Sequence, residues 1–553
     1  VAGFALLAGF VASAFGDAIH MPFLNEDYIF LDQARVSGNV PHLGLGQLLF
    51  HWWRPWSREL HYWAVQKLFG PSELAFHLAN AALWLAMIAL LAWLVRRVAG
   101  PAASAWAAAA AAALAMWGLP LLWVAGVQDL WMLCWALAAI ALWAADRRGP
   151  ATAAFALALL SKETACVLPG VFLAWDVFVA RRGTRASLAR LALPAALVLA
   201  WALVHPRLGG RLWHPLPPEP PTGEPTSPAW LVVVRSLLVA ANLDALPVPD
   251  ASGAEIVRAI VPAVLLLVGL ALVRWPAQPD PPAPRGLVAF GATWAVLGWL
   301  PLLLPGLGWR AYYAGFGALG LLLAIAPRMA RARTMALLVL ALVAALGSLR
   351  AFTPSLNWGE ASYQRRAGAL CRGLRELLQR RHPSFPSHAR LYFSGLPDRI
   401  GFLSADGPAL RVWYRDSTLS AGYFGAFKAR AAAAPRGPDY FFRLDTLRGW
   451  MDIEPGAEDV ERARAANPAW EADQESVAKV LLRGGDWTGA AGTFEKLATA
   501  HPEDPEYAFQ VAVCLSQAGD EAGAGRWLAR AAALPGASEE IRQAAAAAGV
   551  RRR

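Results

Sequence analysis

Eleven apolar stretches, most of them near the twenty residues that span a bilayer core, occupy the first 352 positions of this chain. They run over about 1–19, 74–95, 102–122, 129–145, 151–162, 164–180, 187–205, 255–274, 286–305, 312–327 and 334–352, the fifth being short. Such a series leaves few alternatives to a bundle of membrane helices, because only helices and closed barrels satisfy their own backbone in lipid. Arginine clusters fall in every second connection: Arg96/Arg97, Arg147/Arg148, Arg181/Arg182/Arg185, Arg274/Arg285 and Arg328/Arg331/Arg333. That alternation marks those connections as cytoplasmic. It assigns 20–73, 123–129, 162–163, 206–254 and 306–311 to the opposite, periplasmic or lumenal face, and an odd number of spans exports everything after about 353.

Composition agrees. Of the 553 residues 57% are hydrophobic and 16% charged, which is not the make-up of one soluble domain. The net charge of +10 sits mainly in the connections, so it sets orientation and is no sign of nucleic-acid binding. Val1 is not an initiating residue, which predicts a native start upstream. Ala12-Ser13-Ala14 is a possible signal-peptidase site, but the many later spans favour a retained first span. The cysteines, Cys134, Cys166, Cys371 and Cys514, have no metal-site spacing; a Cys371–Cys514 bridge is open to them in an oxidising compartment.

The first exported loop carries His51-Trp52-Trp53-Arg54-Pro55-Trp56, aromatic rings and cations that suit the headgroup region. The segment 206–228 is too proline-rich for a helix and reads as a flap, and Trp230–Leu243 as a short interfacial helix. Three domains follow: a membrane domain over 1–353, a small periplasmic α/β domain over 354–470, and helical repeats over 471–553. In the second, Arg372–Arg381 reads as helix, Leu391–Phe393 and Arg411–Tyr414 as strands, and Gly395-Leu396-Pro397-Asp398 as a turn. In the third, Ala478, Leu481, Gly485, Asp486, Ala490, Phe494 and Leu497 recur 34 residues later as Ala512, Leu515, Gly519, Asp520, Ala524, Leu528 and Ala531. Small residues at a helix crossing and Gly-Asp at the turn are tetratricopeptide features. Pro502 closes the first unit and Ser538–Ala548 caps the second.

Four groups of ionisable residues share the exported face. Glu26 and Asp27 follow the first span; an acidic pair there is often only a solvated loop, but it also suits a general base or a metal site. Asp129 begins a span and is in the simplest case an N-cap. Lys162 and Glu163 occupy a tight turn where they are able to neutralise each other, yet charges so near hydrocarbon are costly enough to imply a role. Arg310, followed closely by Tyr312 and Tyr313, reads on its own as an interfacial anchor. Together, acids and cations on one membrane face suit a base that activates a hydroxyl while cations stabilise a departing lipid phosphate.

The chain resembles the GT-C superfamily of polyprenyl-phosphate-sugar-dependent glycosyltransferases, in the protein O-mannosyltransferase-like branch with C-terminal tetratricopeptide repeats. The resemblance rests on Glu26-Asp27, on Trp53-Arg54-Pro55-Trp56, Phe69-Gly70-Pro71 and Phe76-His77-Leu78-Ala79-Asn80, and on the segments Trp123–Leu130, Ser161–Thr164 and Arg310–Tyr313. It implies an integral membrane enzyme, in a bacterial inner membrane, whose active site faces the periplasm. The implied reaction is an inverting transfer of a sugar from a polyprenyl-phosphate donor to a hydroxyl of a protein, lipid or glycan. Glu26 or Asp27 would be the base, with Asp129 orienting base or acceptor. Lys162, Arg310, Tyr313 and Arg54 would hold the donor, with Glu163 positioning Lys162. Glu26 and Asp27 are also the expected ligands of any Mg²⁺ or Mn²⁺, and the repeats would bind a protein partner. The rival readings are a non-catalytic membrane scaffold built on the repeats and a transporter; a transporter wants its ionisable residues mid-membrane rather than at one face.

Overall fold

The computed structural model describes residues 2–38, 41, 52–209, 228–244, 253–272, 282–304, 309–350, 360–394, 407–423, 437–445, 449–452, 474, 478, 481–482 and 486–550. The predicted turn at 395–398, Gly485 and most of the proline-rich 206–228 lie outside these residues. The chain divides into two compact units, and the division falls at Cys371/Arg372, inside a helix, rather than at the predicted 353/354.

The first unit is helical. Helix α1 (Ala2–Phe15) ends in a 3₁₀ turn, and α2 (Glu26–Val36) starts after Asn25, whose φ of 49° turns the chain sharply. A π-helical stretch, Pro55–Leu60, leads into α3 (His61–Phe69). Ser72 caps α4 (Glu73–Ala99) through the Ala75 N–H. Then come α5 (Pro101–Ala112), α6 (Gly118–Leu122), α7 (Val127–Ala144), α8 (Arg148–Leu159), α9 (Leu168–Ala174) and α10 (Thr184–Val204). The later helices are α11 (Ala229–Val239), α12 (Gly253–Leu272), α13 (Leu287–Trp299), α14 (Gly315–Arg331) and α15 (Arg333–Arg350). Helix α11 lies within the predicted interfacial segment.

Among the described residues four helices are long and apolar enough to cross a membrane: Glu73–Ala99, Val124–Ala144, Thr184–Val204 and Ala311–Arg331. The pair Pro101–Ala112 and Ala115–Leu122, bent by 54°, makes a fifth if it is one span. Each of the eleven apolar stretches contains helix, but α8 has 12 residues, too few to cross alone at 1.5 Å per residue, while α9 joins a 3₁₀ turn before it and a π-helical turn after it in one run, Glu163–Val179. Only 33% of the apolar window of α4 and 17% of that of α10 is covered by protein, against 83% of Val124–Ala144. Leu78, Leu85, Leu188, Leu193 and Leu199 stay exposed on the uncovered helices, an apolar surface that a bilayer accepts and water does not. This is a multispanning membrane protein.

Close helix contact is bought with glycine in one place. A Cβ on Gly291 of α13 would lie 2.6 Å from the Gly320 oxygen of α14, and one on Gly298 would lie 2.7 Å from the Gly317 nitrogen. Small residues at these crossings let the two backbones approach, which is how helices associate without a hydrophobic drive in lipid.

Helix α16 (Ala361–Arg381) carries the division between the units. In the second unit a four-stranded sheet has the order β2-β1-β3-β4. Strand β1 (Arg390–Ser394) is parallel to β2 (Ser420–Tyr423) and to β3 (Asp439–Asp445), and β4 (Gly449–Asp452) is antiparallel to β3. Leu391 sits opposite Ala421 on one side and Tyr440 on the other. Leu391–Phe393 is therefore strand as predicted, whereas Arg411–Tyr414 belongs to helix α17 (Pro408–Tyr414). Pro408 in its first turn pre-sets a helix there.

The C-terminal part of this unit is built from α18 (Trp487–Ala500), α19 (Pro505–Gln517), α20 (Glu521–Ala533) and α21 (Glu539–Val550). Asp486 accepts from the Gly489 N–H at 2.9 Å, and 34 residues on Asp520 accepts from the Gly523 N–H at 2.8 Å. Ala478, Ala490, Phe494, Leu497, Val511 and Cys514 share one buried cluster. All four cysteines are free thiols, so Cys371 and Cys514 form no bridge: Cys371 Sγ lies 3.6 Å from the Tyr28 hydroxyl in the first unit, and Cys514 lies in the repeat core.

Candidate active site

Every residue nominated from the sequence sits at or beside a break in helical backbone. Asn25 has a positive φ; Arg54 (φ −132°, ψ 56°), Trp123 (φ −114°, ψ 119°), Lys162 (φ −162°, ψ 145°) and Arg310 (φ −133°, ψ 143°) also leave the helical region. Irregular backbone in a membrane protein needs protein partners, and here the breaks are tied to one another. The Trp56 N–H bonds to the Leu160 oxygen at 3.1 Å, and the Ser57 hydroxyl donates to the Ser161 oxygen at 2.6 Å. These two bonds dock the entry to α3 on the turn after α8.

The charges pair across the breaks and not within them. Lys162 Nζ donates to Asp129 Oδ1 at 2.6 Å, both side chains buried, and lies 4.4 Å from the centroid of the Tyr313 ring. Arg54 grips Glu163 with two nitrogens, Nη2 at 2.7 Å and Nε at 2.8 Å, and its Nη1 donates to Gln128 Oε1 at 2.7 Å. The expected Lys162–Glu163 partnership is thus replaced by two crossed pairs. Lys162 is extended and Glu163 opens the 3₁₀ turn Glu163–Val167, so the two neighbouring side chains meet different partners. Burial alone would raise the Glu163 carboxyl, but Arg54, with His205 3.6 Å away, more than reverses this and holds it well below the usual carboxylate range. Arg310 is 8% exposed, buried rather than set among headgroups, and it opens the 3₁₀ turn Ala311–Ala314 that carries Tyr312 and Tyr313.

The acidic pair divides in the same way. Asp27 is fully buried and spends both oxygens on the protein: Oδ2 accepts from the Leu24 N–H at 2.9 Å, and Oδ1 from the Tyr62 hydroxyl at 2.9 Å and the Ala125 N–H at 2.8 Å. Burial pushes its pKa up to about 7 against the pull of these donors. Glu26 is half-buried and accepts no hydrogen bond among the described residues. Burial raises its carboxyl above the ordinary value, and the charges of Arg54, Arg58 and Lys162 draw it partly back. Arg58 itself is buried, paired with Glu59, bonded to the Trp52 oxygen at 2.7 Å and stacked on the Phe30 ring.

Asp27 thus meets three protein donors, two on Oδ1 and one on Oδ2. Among the described residues no three His, Cys, Asp or Glu side chains gather as metal ligands.

Four further residues belong to the network. Gln128 and His205 border Glu163 and Arg54, and Tyr62 and Asn80 hold the surroundings of Asp27. Gln128 and Asn80 stand inside motifs quoted above; Tyr62 and His205 carry no local signal, since their partners are distant in sequence.

The chain is similar to two crystal structures of ArnT from Cupriavidus metallidurans. That of the protein bound to undecaprenyl phosphate is 16% identical, with 80% of this chain and 93% of that one covered and a TM-score of 0.48. For the apo state the figures are 18%, 76%, 85% and 0.44. No protein-family profile matches the chain, and no curated protein sequence does so either.

Proposed function

We propose that this protein is a membrane glycosyltransferase that moves a sugar from a polyprenyl-phosphate donor to a hydroxyl acceptor at the periplasmic face, with inversion at the anomeric carbon. Glu26 is the base. The observation that carries this reading is the unbonded Glu26 carboxylate among the charges of Arg54, Arg58 and Lys162, beside an Asp27 whose oxygens are already committed. Glu26 takes the acceptor hydroxyl proton as the oxygen bonds to the anomeric carbon. The bond from that carbon to the phosphate oxygen breaks, and its electron pair leaves with the lipid phosphate. Lys162 and Arg310 stabilise that charge, with Tyr313 against the Lys162 ammonium. Asp129 orients Lys162, and Glu163 with Gln128 orients Arg54. The helices from 474 onward are read as tetratricopeptide-like units that hold a polypeptide acceptor or partner.

The test is transfer of label from a panel of polyprenyl-phosphate sugars by protein in lipid, with membrane extract as acceptor pool. Label moved by wild type and not by Glu26→Gln supports the reading. Equal transfer by both variants Glu26→Gln and Asp27→Asn at the wild-type rate removes it.

A further inference from the structure

We propose that Asn80 and Tyr62 are positioning residues, which act through Asp27 to hold Glu26 where an acceptor hydroxyl meets it; this deepens the function proposed above and rests on it. The backbone between α6 and α7 doubles back on itself. A Cβ on Gly126 would lie 2.4 Å from the Pro120 Cα, so the turn closes only with glycine there. Closing leaves its carbonyls facing α4, where two side chains one turn apart receive them. Asn80 Nδ2 donates to the oxygens of Pro120 at 2.9 Å and Val124 at 3.1 Å, and a longer contact of 3.4 Å reaches Trp123 O. His77 Nδ1 lies 3.0 Å from the Leu121 oxygen and must carry its proton there, since a carbonyl only accepts.

The orientation of the Asn80 amide is not free. Turned over, its oxygen would face three carbonyl oxygens. As it stands, its own oxygen is buried without a partner among the described residues, an arrangement that is costly. A residue present only to fill space would avoid that cost; the donated hydrogen bonds offset it.

The turn so held presents the Ala125 N–H to Asp27 Oδ1, where the Tyr62 hydroxyl arrives from α3. The Leu24 N–H closes the other oxygen from the chain just before α2. Asp27 therefore fastens the first turn of α2 to two independent elements. Glu26 is the preceding residue, so the same three bonds fix its backbone while leaving its side chain unbonded.

The experiment uses a base supplied from solution. Glu26→Ala removes the carboxylate, and molar formate offered to it takes the acceptor proton in its place. Free formate does not depend on α2 for its position. Asn80→Ala and Tyr62→Phe are expected to lower kcat about tenfold when Glu26 is present and to leave the formate-supported rate of Glu26→Ala unchanged within twofold. An equal loss in both backgrounds makes Asn80 and Tyr62 merely structural and overturns the inference while leaving Glu26 as the base. Wild-type transfer by Glu26→Ala overturns the underlying reading instead. Where Glu26→Ala is inactive and formate restores nothing, the cycle of Asp27→Asn with Asn80→Ala decides. Losses in kcat that multiply overturn the brace, and a double variant no worse than Asp27→Asn supports it.

Discussion

A cluster of ion pairs lies near each end of helix α7, about 27 Å apart for its 18 residues, and the two clusters are built differently. At the Asp146 end each carboxylate meets a guanidinium. Arg190 binds Asp176 through Nε at 2.8 Å and Asp146 through Nη1, and its guanidinium lies 4.8 Å from the centroid of the Trp143 ring. The Trp143 indole donates to Asp176 at 3.2 Å, and Arg182 lies 3.5 Å from each of the two acids. Two carboxylates meet two guanidiniums. At the Asp129 end the pairs Lys162–Asp129 and Arg54–Glu163 are just as tight, but Glu26 is left over beside them. A closed network of this kind staples helices together. An open one keeps a carboxylate whose proton affinity its neighbours tune, and reactivity resides in that remainder.

The largest effect that separates the ends is on transfer itself. Glu26→Gln is expected to lower kcat by about 10²–10⁴-fold, the range for a lost general base. Asp176→Asn, equally close to buried guanidinium groups, is expected to leave kcat per folded molecule within twofold. Label transfer by both variants, normalised to monodisperse protein, measures this, and comparable losses would erase the distinction between the clusters.

Next come the pairs that the two ends have in common. Lys162→Met leaves Asp129 buried without its cation, which typically costs about 3–5 kcal/mol. Unfolding of the variant in detergent measures the loss. The double change Lys162→Met with Asp129→Leu removes both charges and is expected to recover most of the stability while transfer stays low. Recovery of both would mean that the Lys162–Asp129 pair is a staple like its counterpart. At the other end Asp176→Asn forfeits the charge-assisted bond to Arg190, about 1.5–3 kcal/mol, and is expected to appear in unfolding alone.

How much of this was legible in the sequence differs by kind of signal. Apolar runs and arginine alternation gave the helices because each run carries its own evidence. Their lengths in space were less visible: α8 stops after 12 residues, and the extended Lys162 and the 3₁₀ turn that Glu163 opens follow it in the site. The 34-residue period located the capped turns at Asp486 and Asp520, two local events that sequence spacing fixes. The site residues were legible as a set, through charges beside apolar spans, but their pairings were not. Lys162 and Glu163 are neighbours that choose different distant partners, and nothing short-range announces that Arg54 rather than Lys162 answers Glu163. Glu26 and Asp27 likewise read as one acidic pair; only the Tyr62 hydroxyl and the Ala125 N–H, 35 and 98 residues away, tell them apart. The strand expected at Arg411–Tyr414 failed for a local reason, the proline that opens its helix.

The smallest effect is also the sharpest for choosing between the two acids. A base must be ionised to accept a proton, so kcat/KM is expected to rise with pH through the folded-state pKa of the base and level off above it. Burial holds Glu26 above its ordinary 4.5, which places the limb above that value, and the Lys162 charge is among those that keep it from rising further. Taking the charge away in Lys162→Met should therefore move the limb to higher pH, whereas Lys162→Arg keeps the charge and should not. Arg190→Met, at the far end of α7, should leave the limb where it is. A limb that ignores Lys162→Met but disappears in Asp27→Asn would transfer the role of base to Asp27, and the three donors on that carboxylate would then be there to tune its basicity rather than to brace its neighbour.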